Sequence, residues 1–189
     1  MKKLSSFLDR IATLRITLLV FVLFLLTTNV IFPWASARLG IPPDAIILDT
    51  QLTYSPAKLY QIIDTYGEAE RQAHALFHLT ADVVFPIVYL FALGTLISYT
   101  FQQAFPEQNR LRRLNLAPFW LMVFDFLENT GLIILLQAYP RQLPTIAHLT
   151  GWITTLKWCL SAFSMLIVLV GIIGMFYRWV KYRNKTVGP

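Results

Sequence analysis

The sequence predicts an all-α protein: a bundle of four transmembrane helices with a short amphipathic helix outside it. Three observations carry that expectation. Apolar residues make up 56% of the 189 residues and charged residues only 14%, too little polar surface for a water-soluble domain of this length. Four apolar runs are each long enough to cross a hydrocarbon core of roughly 30 Å as a helix. The net charge of +6 is gathered in three segments that fall on one side of such a bundle. The length suits a single domain.

The first run, ITLLVFVLFLLTTNVIF, predicts a span over about 14–34, preceded by Lys2, Lys3, Arg10 and Arg15. Ala35-Ser36-Ala37 has the form of a signal-peptidase site. The apolar stretch before it is longer than the core of an ordinary leader, so it is expected to stay as a span. An outer loop over about 35–73 follows, opened by Pro33 and broken again at Pro42-Pro43. Within it, TYSPAKLYQIIDTYGEAER carries a helix-start signal. Ser55 is the N-cap, and Pro56 takes the first helical position, where its missing N–H costs nothing. Leu59, Ile62, Ile63 and Tyr66 share one side, and Gly67 stops the helix. This helix, over 56–66, should lie across the outer ends of the bundle or in the headgroup layer. Asp44, Asp49, Asp64, Glu68 and Glu70 make the loop acidic and read as a solvated face.

The second span, about 75–101, opens with HALFHLTADVVFPIVY. His74, His78 and Asp82 recur at i, i+4 and i+8, so they stack on one helical face, which Tyr89 continues. Pro86 leaves the Asp82 carbonyl without its usual donor. The inner loop, near 102–115, is short and holds Arg110, Arg112 and Arg113. The third span, about 115–137, contains FDFLENTGLI, in which Asp125, Glu128 and Asn129 share an arc of roughly 100°. The loop AYPRQLPTIAH leads into the fourth span, about 150–177, with Pro144 in its first turn. Lys157 is the only basic residue within a predicted span, and Thr154, Thr155, Ser161 and Ser164 lie near it. Arg178, Lys181, Arg183 and Lys185 follow.

The basic segments before the first span, between the second and third, and after the fourth hold most of the sixteen Lys and Arg residues. That bias predicts a multi-pass protein of the cell (inner) membrane with both termini cytoplasmic. It also removes the nucleic-acid reading, because the charge marks topology and meets anionic lipid. Membrane lipids are the expected partners, an oligomer is compatible with the sequence, and no cofactor is identified. Cys159 is the single cysteine, so neither an internal disulfide nor a cysteine-based zinc cluster can form.

An ionised side chain at the centre of a span costs about 2.5–3.5 kcal/mol. The polar residues are therefore expected to converge. Asp82, Asp125, Glu128, Asn129 and Tyr89 should line an outward-facing cavity, with His78 and Lys157 at its entrance and Lys157 paired with Glu128 or Asp82. Any metal present would take His74, His78 and Asp82 as ligands. The predicted function is binding of a small ligand, a lipid headgroup or an ion, and Glu128→Gln should alter that binding with little loss of expression. One alternative is an enzyme using His and carboxylate acid–base chemistry on a lipid-like substrate. Others are proton or ion translocation, or a purely accessory role. No nucleophile motif, phosphate loop or HExxH pattern names a reaction. Below Asp125 the spans offer only Tyr89, Thr95, Ser98 and scattered hydroxyls to a translocation path.

Tyr54-Ser55-Pro56, the F-P-x-x-Y of Phe85, Pro86 and Tyr89, and the D-x-x-E-N of Asp125, Glu128 and Asn129 together resemble small four-span bacterial membrane proteins. The resemblance covers most of the chain and implies the four-span fold without an activity. The long first outer loop is also similar to the claudin layout. The paired cysteines of that loop are absent, so no junction or adhesion role is implied.

Overall fold

A computed structural model of the chain describes residues 1–105 and 110–186, with residues 184–186 described by backbone alone. Part of the predicted inner loop and the Lys185 side chain lie outside the described residues. Among those described there are helices and turns and no strand. Four helical stretches are long and apolar enough to cross a membrane: Leu14–Leu39, Glu68–Ala104, Leu111–Ala138 and Pro144–Arg183. This is the architecture of a multi-pass, all-α bundle.

The chain opens with a helix that hydropathy did not announce, α1 (Lys2–Ile11). Its Ser5 and Leu8, with Ala12 just beyond, are buried, while Phe7 is exposed. Leu8 packs against the backbone of Gly94, where a Cβ would meet its Cδ1 at 3.0 Å. Asn115, fully buried, donates to the Ser5 carbonyl at 3.1 Å and to Ser98 Oγ at 2.8 Å. Basic residues had marked this segment as a flank. Its buried side, Ser5 and Leu8, meets Asn115 and Gly94.

The first span begins at α2 (Leu14–Leu26), capped by Thr13. A wide turn over Thr27–Ile31 then adds a residue to the helical ladder, with Phe32 N–H reaching the Thr27 carbonyl. After it α3 (Phe32–Leu39) continues to Gly40, whose φ of +79° ends the helix. Pro33 was expected to open the irregular loop. It sits instead in the first turn of α3, because the wide turn has already shifted the ladder past the donor that proline lacks.

The outer helix forms as expected. α4 (Pro56–Thr65) starts at Ser55, whose Oγ accepts from Lys58 N–H at 3.2 Å. Leu59, Ile62 and Ile63 are buried against Leu132, Leu135 and Ala147. α4 therefore lies across the ends of the third and fourth spans. The loop ends earlier than position 73, since α5 (Glu68–Leu79) is already helical. The second span is not one helix either: Thr80, at φ −119° and ψ −83°, separates α5 from α6 (Ala81–Ala104). The stack of His74, His78 and Asp82 thus crosses a break.

A tight turn over Leu111–Leu116 leads into α7 (Ala117–Ala138). α8 (Pro144–Thr186) is longer at both ends than the predicted 150–177. α8 packs along α6 and α7, and α2 packs on α6. Glycines set the closest approaches: a Cβ on Gly131 would meet Thr150 Cγ2 at 2.9 Å, and one on Gly171 would meet the Phe101 ring at 2.9 Å. Small residues at such points let helix backbones touch where lipid gives no hydrophobic drive for association.

Candidate functional site

The wall of the site is built from four places. α6 supplies Asp82, Phe85, Tyr89 and Leu93. α7 supplies Leu121 and Asp125. α8 supplies Lys157, Trp158, Ser161 and Met165. Opposite them stand Phe24 and Thr28 of the first span, and residues 41–50 of the loop form a roof. Between them lies a cavity of about 730 Å³. Carboxylates and the lysine gather beneath the roof, and the remainder is mostly aromatic and aliphatic, with the hydroxyls of Thr28, Ser36, Thr50 and Ser161 among it. Phe85 joins the two halves, stacking on Phe24 at 5.7 Å and meeting Phe32 at a tilt at 4.8 Å between ring centroids.

Each polar group is held by a particular neighbour. Tyr89 donates its hydroxyl to Asp125 Oδ2 at 3.0 Å, linking α6 to α7. His78 Nδ1 lies 2.9 Å from Asp82 Oδ2, across the break at Thr80. Asn129 Nδ2 donates to the Asp82 carbonyl at 3.2 Å. That carbonyl is the one Pro86 deprives of its helical donor, so Asn129 completes a ladder that proline opened.

Lys157 forms an ion pair with Glu128 Oε2 and also donates to the Asp49 carbonyl at 3.1 Å. The pair is the first of the two partnerships the sequence suggested. Thr154 Oγ1 lies 2.5 Å from Glu128 Oε1 and 3.0 Å from the Tyr54 hydroxyl. With a single proton to give, Thr154 donates to the carboxylate, the better acceptor, and receives from Tyr54.

The structure brings Asp82, Tyr89, Asp125 and Lys157 to the cavity wall. Glu128, Asn129 and His78 stand behind it, 0%, 3% and 0% exposed. His74 is apart: it stacks on Tyr66 at 4.5 Å and faces Glu70 at 3.8 Å. The residue absent from the expected set is Asp49. Read as a solvated loop acid, it is only partly exposed, and it joins Asp82 at the head of the cavity. Burial pushes its carboxyl above the ordinary carboxylate range, and the charge of Asp82 adds to this against His78 and Lys157. Burial likewise raises Tyr54 and Tyr66. The one sequence signal for Asp49 was its setting after Ile46, Ile47 and Leu48, since Leu48 is buried.

Toward α1 the described residues bury hydroxyls and one amide, among them Thr95, Ser98, Ser164 and Asn115, but no further carboxylate or cation. Beyond Asp125 lie Leu93, Ile97, Phe101, Leu121, Ile167 and Val168, packed as a core. A second hollow, about 890 Å³, lies where α6 ends beside α8, among Gln102, Arg178, Trp179 and Tyr182. It is an open surface groove with no buried polar group.

No protein-family model, curated protein or solved structure matches this chain. Its function is therefore argued from the geometry.

Proposed function

We propose that the cavity binds an amphiphilic, lipid-like molecule taken up sideways from the bilayer. The polar head lies under the loop against Asp49, Asp82, Asp125 and Lys157. The hydrocarbon part runs along Phe24, Leu93, Leu121 and Met165 and leaves between α2 and α8. One observation carries this reading: a single cavity of about 730 Å³ joins a charged head to an apolar trough. That is the size of a small-molecule site. An ion alone needs no trough, and a water-soluble ligand gains nothing from it. In this reading the polar groups lie at membrane depth. The bias of the basic segments supports an orientation with both termini in the cytoplasm and the loop roof outside.

The experiment is mass spectrometry of the protein purified in mild detergent. Wild type should carry a lipid in near-stoichiometric amount. Ser161→Trp, which fills the trough, should lose it. Leu166→Trp, on an exposed face of α8 at 56% exposure, should keep it. Equal lipid content in all three overturns the proposal. A second reading is supported by the His78–Asp82 hydrogen bond, which gives the same chamber an acid–base couple. Conversion of the bound lipid to a product on incubation, abolished by Asp82→Asn, would favour an enzyme.

A further inference from the structure

We infer that Asp49, His78 and Asp82 form a site for a divalent transition-row cation at the head of this cavity. The three come from separate elements: Asp49 from the loop, His78 from the end of α5, and Asp82 from the start of α6. One ligand-type atom from each lies within 4.8 Å of the other two. A metal bonded at about 2.0–2.2 Å to imidazole nitrogen and carboxylate oxygen holds such atoms roughly 3–4.3 Å apart. A movement of a few tenths of an ångström at the loop closes the set on that scale.

Asp82 is 2% exposed and faces the cavity. Its Oδ2 meets His78 Nδ1 at 2.9 Å, and the His78 ring is fully buried. Asp49 Oδ1 is shielded from solvent and has no partner among the described residues. A shielded carboxylate oxygen left unmatched is costly and calls for an explanation.

Charge points the same way. Asp49, Asp82 and Asp125 face the cavity together, while the nearby cation, Lys157, already faces Glu128. Lysine reaches Asp49 only at its backbone carbonyl, so the carboxylate stays available. A divalent ion offsets two of the remaining negative charges in one step. An imidazole beside two carboxylates suits Zn²⁺ or Mn²⁺ better than Mg²⁺ or Ca²⁺, which prefer oxygen ligands alone. The cavity gives the ion its path, because Asp49 and Asp82 both open onto it. His74, expected among the ligands, is replaced by Asp49, because it lies one turn earlier on α5 and stacks on Tyr66.

The test uses the full chain in detergent, stripped with a chelator and titrated with ZnCl₂ or MnCl₂ by calorimetry, with elemental analysis after gel filtration. Wild type should hold a single ion. Asp49→Asn should weaken binding at least about tenfold, while His74→Gln should stay within about twofold of wild type, since ligand and bystander differ on that scale. Asp49 lies on a loop, so its variant reports even where Asp82→Asn fails to fold. Absence of a stoichiometric ion in folded wild type overturns the inference, as does Asp49→Asn binding as tightly as wild type. This failure is separable from that of the amphiphile reading, which is decided by lipid content in Ser161→Trp.

Discussion

At the scale of single residues, the pair Lys157–Glu128 governs what a substitution does. Both side chains are buried, and Thr154 with Tyr54 behind it fixes the carboxylate. Removing one partner leaves the other charge in a place that cannot solvate it, at a cost of about 3–5 kcal/mol. Glu128→Gln should therefore lower the melting temperature in detergent clearly, rather than act on ligand binding alone. Glu128→Gln with Lys157→Met should recover most of the loss, because no charge is stranded. Thermal unfolding of the two single variants and the double variant checks this. If the double variant loses as much as the two singles added together, the pair is not coupled.

At the scale of elements, α8 decides where the loop roof lies. Lys157 holds the Asp49 carbonyl, Thr155 bonds Thr53 at 3.1 Å, and Thr154 reaches Tyr54. Gly151 supplies the room, since a Cβ there would meet the Tyr54 carbonyl oxygen at 2.5 Å. The roof, which includes a 3-10 turn at Leu48–Thr50, is held by these polar contacts to α8, by the Tyr66 hydroxyl on the Ile46 carbonyl and by burial of Ile41 and Leu48. The α7–α8 seam carries the rest. Gly131→Ala forces Thr150 aside and should destabilise the protein by about 1–3 kcal/mol, as overpacking does. Detergent melting curves measure it; an unchanged midpoint would show that the seam yields freely.

At the scale of the whole molecule, the bundle is asymmetric. The loop end holds the cavity and the polar cluster. The end bearing α1 is closed by Leu93, Ile97, Phe101 and Leu121, with Asn115 tying α1 in place. Among the described residues that end buries hydroxyls and the Asn115 amide but no carboxylate or cation. The orientation proposed for this bundle has its own test. A reporter active only in the cytoplasm should be active when fused at either terminus and silent when inserted beside Asp44. Activity at the Asp44 position would reverse the topology and turn the chamber toward the cytoplasm.

Much of this was legible in the sequence. The four apolar runs, the cap at Ser55 with Pro56, and the apolar face of Leu59, Ile62 and Ile63 are local patterns, and all of them formed, although the spans extend past or break within the expected bounds. Burial of a helix face depends on spacing within about a dozen residues, which the sequence contains. The polar residues on α6, α7 and α8 were visible for the same reason: a carboxylate among hydrocarbon neighbours announces itself. Tertiary structure alone decided which of them meet. Asp49 joins the cluster because Lys157, 108 positions away, holds its carbonyl. Asn129 matters because its amide finds the carbonyl that Pro86 left open. Stacking on Tyr66 holds His74 away from Asp82, and the wide turn at Thr27–Ile31 carries the helix past Pro33. The sequence alone determined a four-span helical protein with polar groups that must find partners. Packing chose those partners, because hydrogen bonds and ion pairs depend on distances between helices that no local pattern encodes.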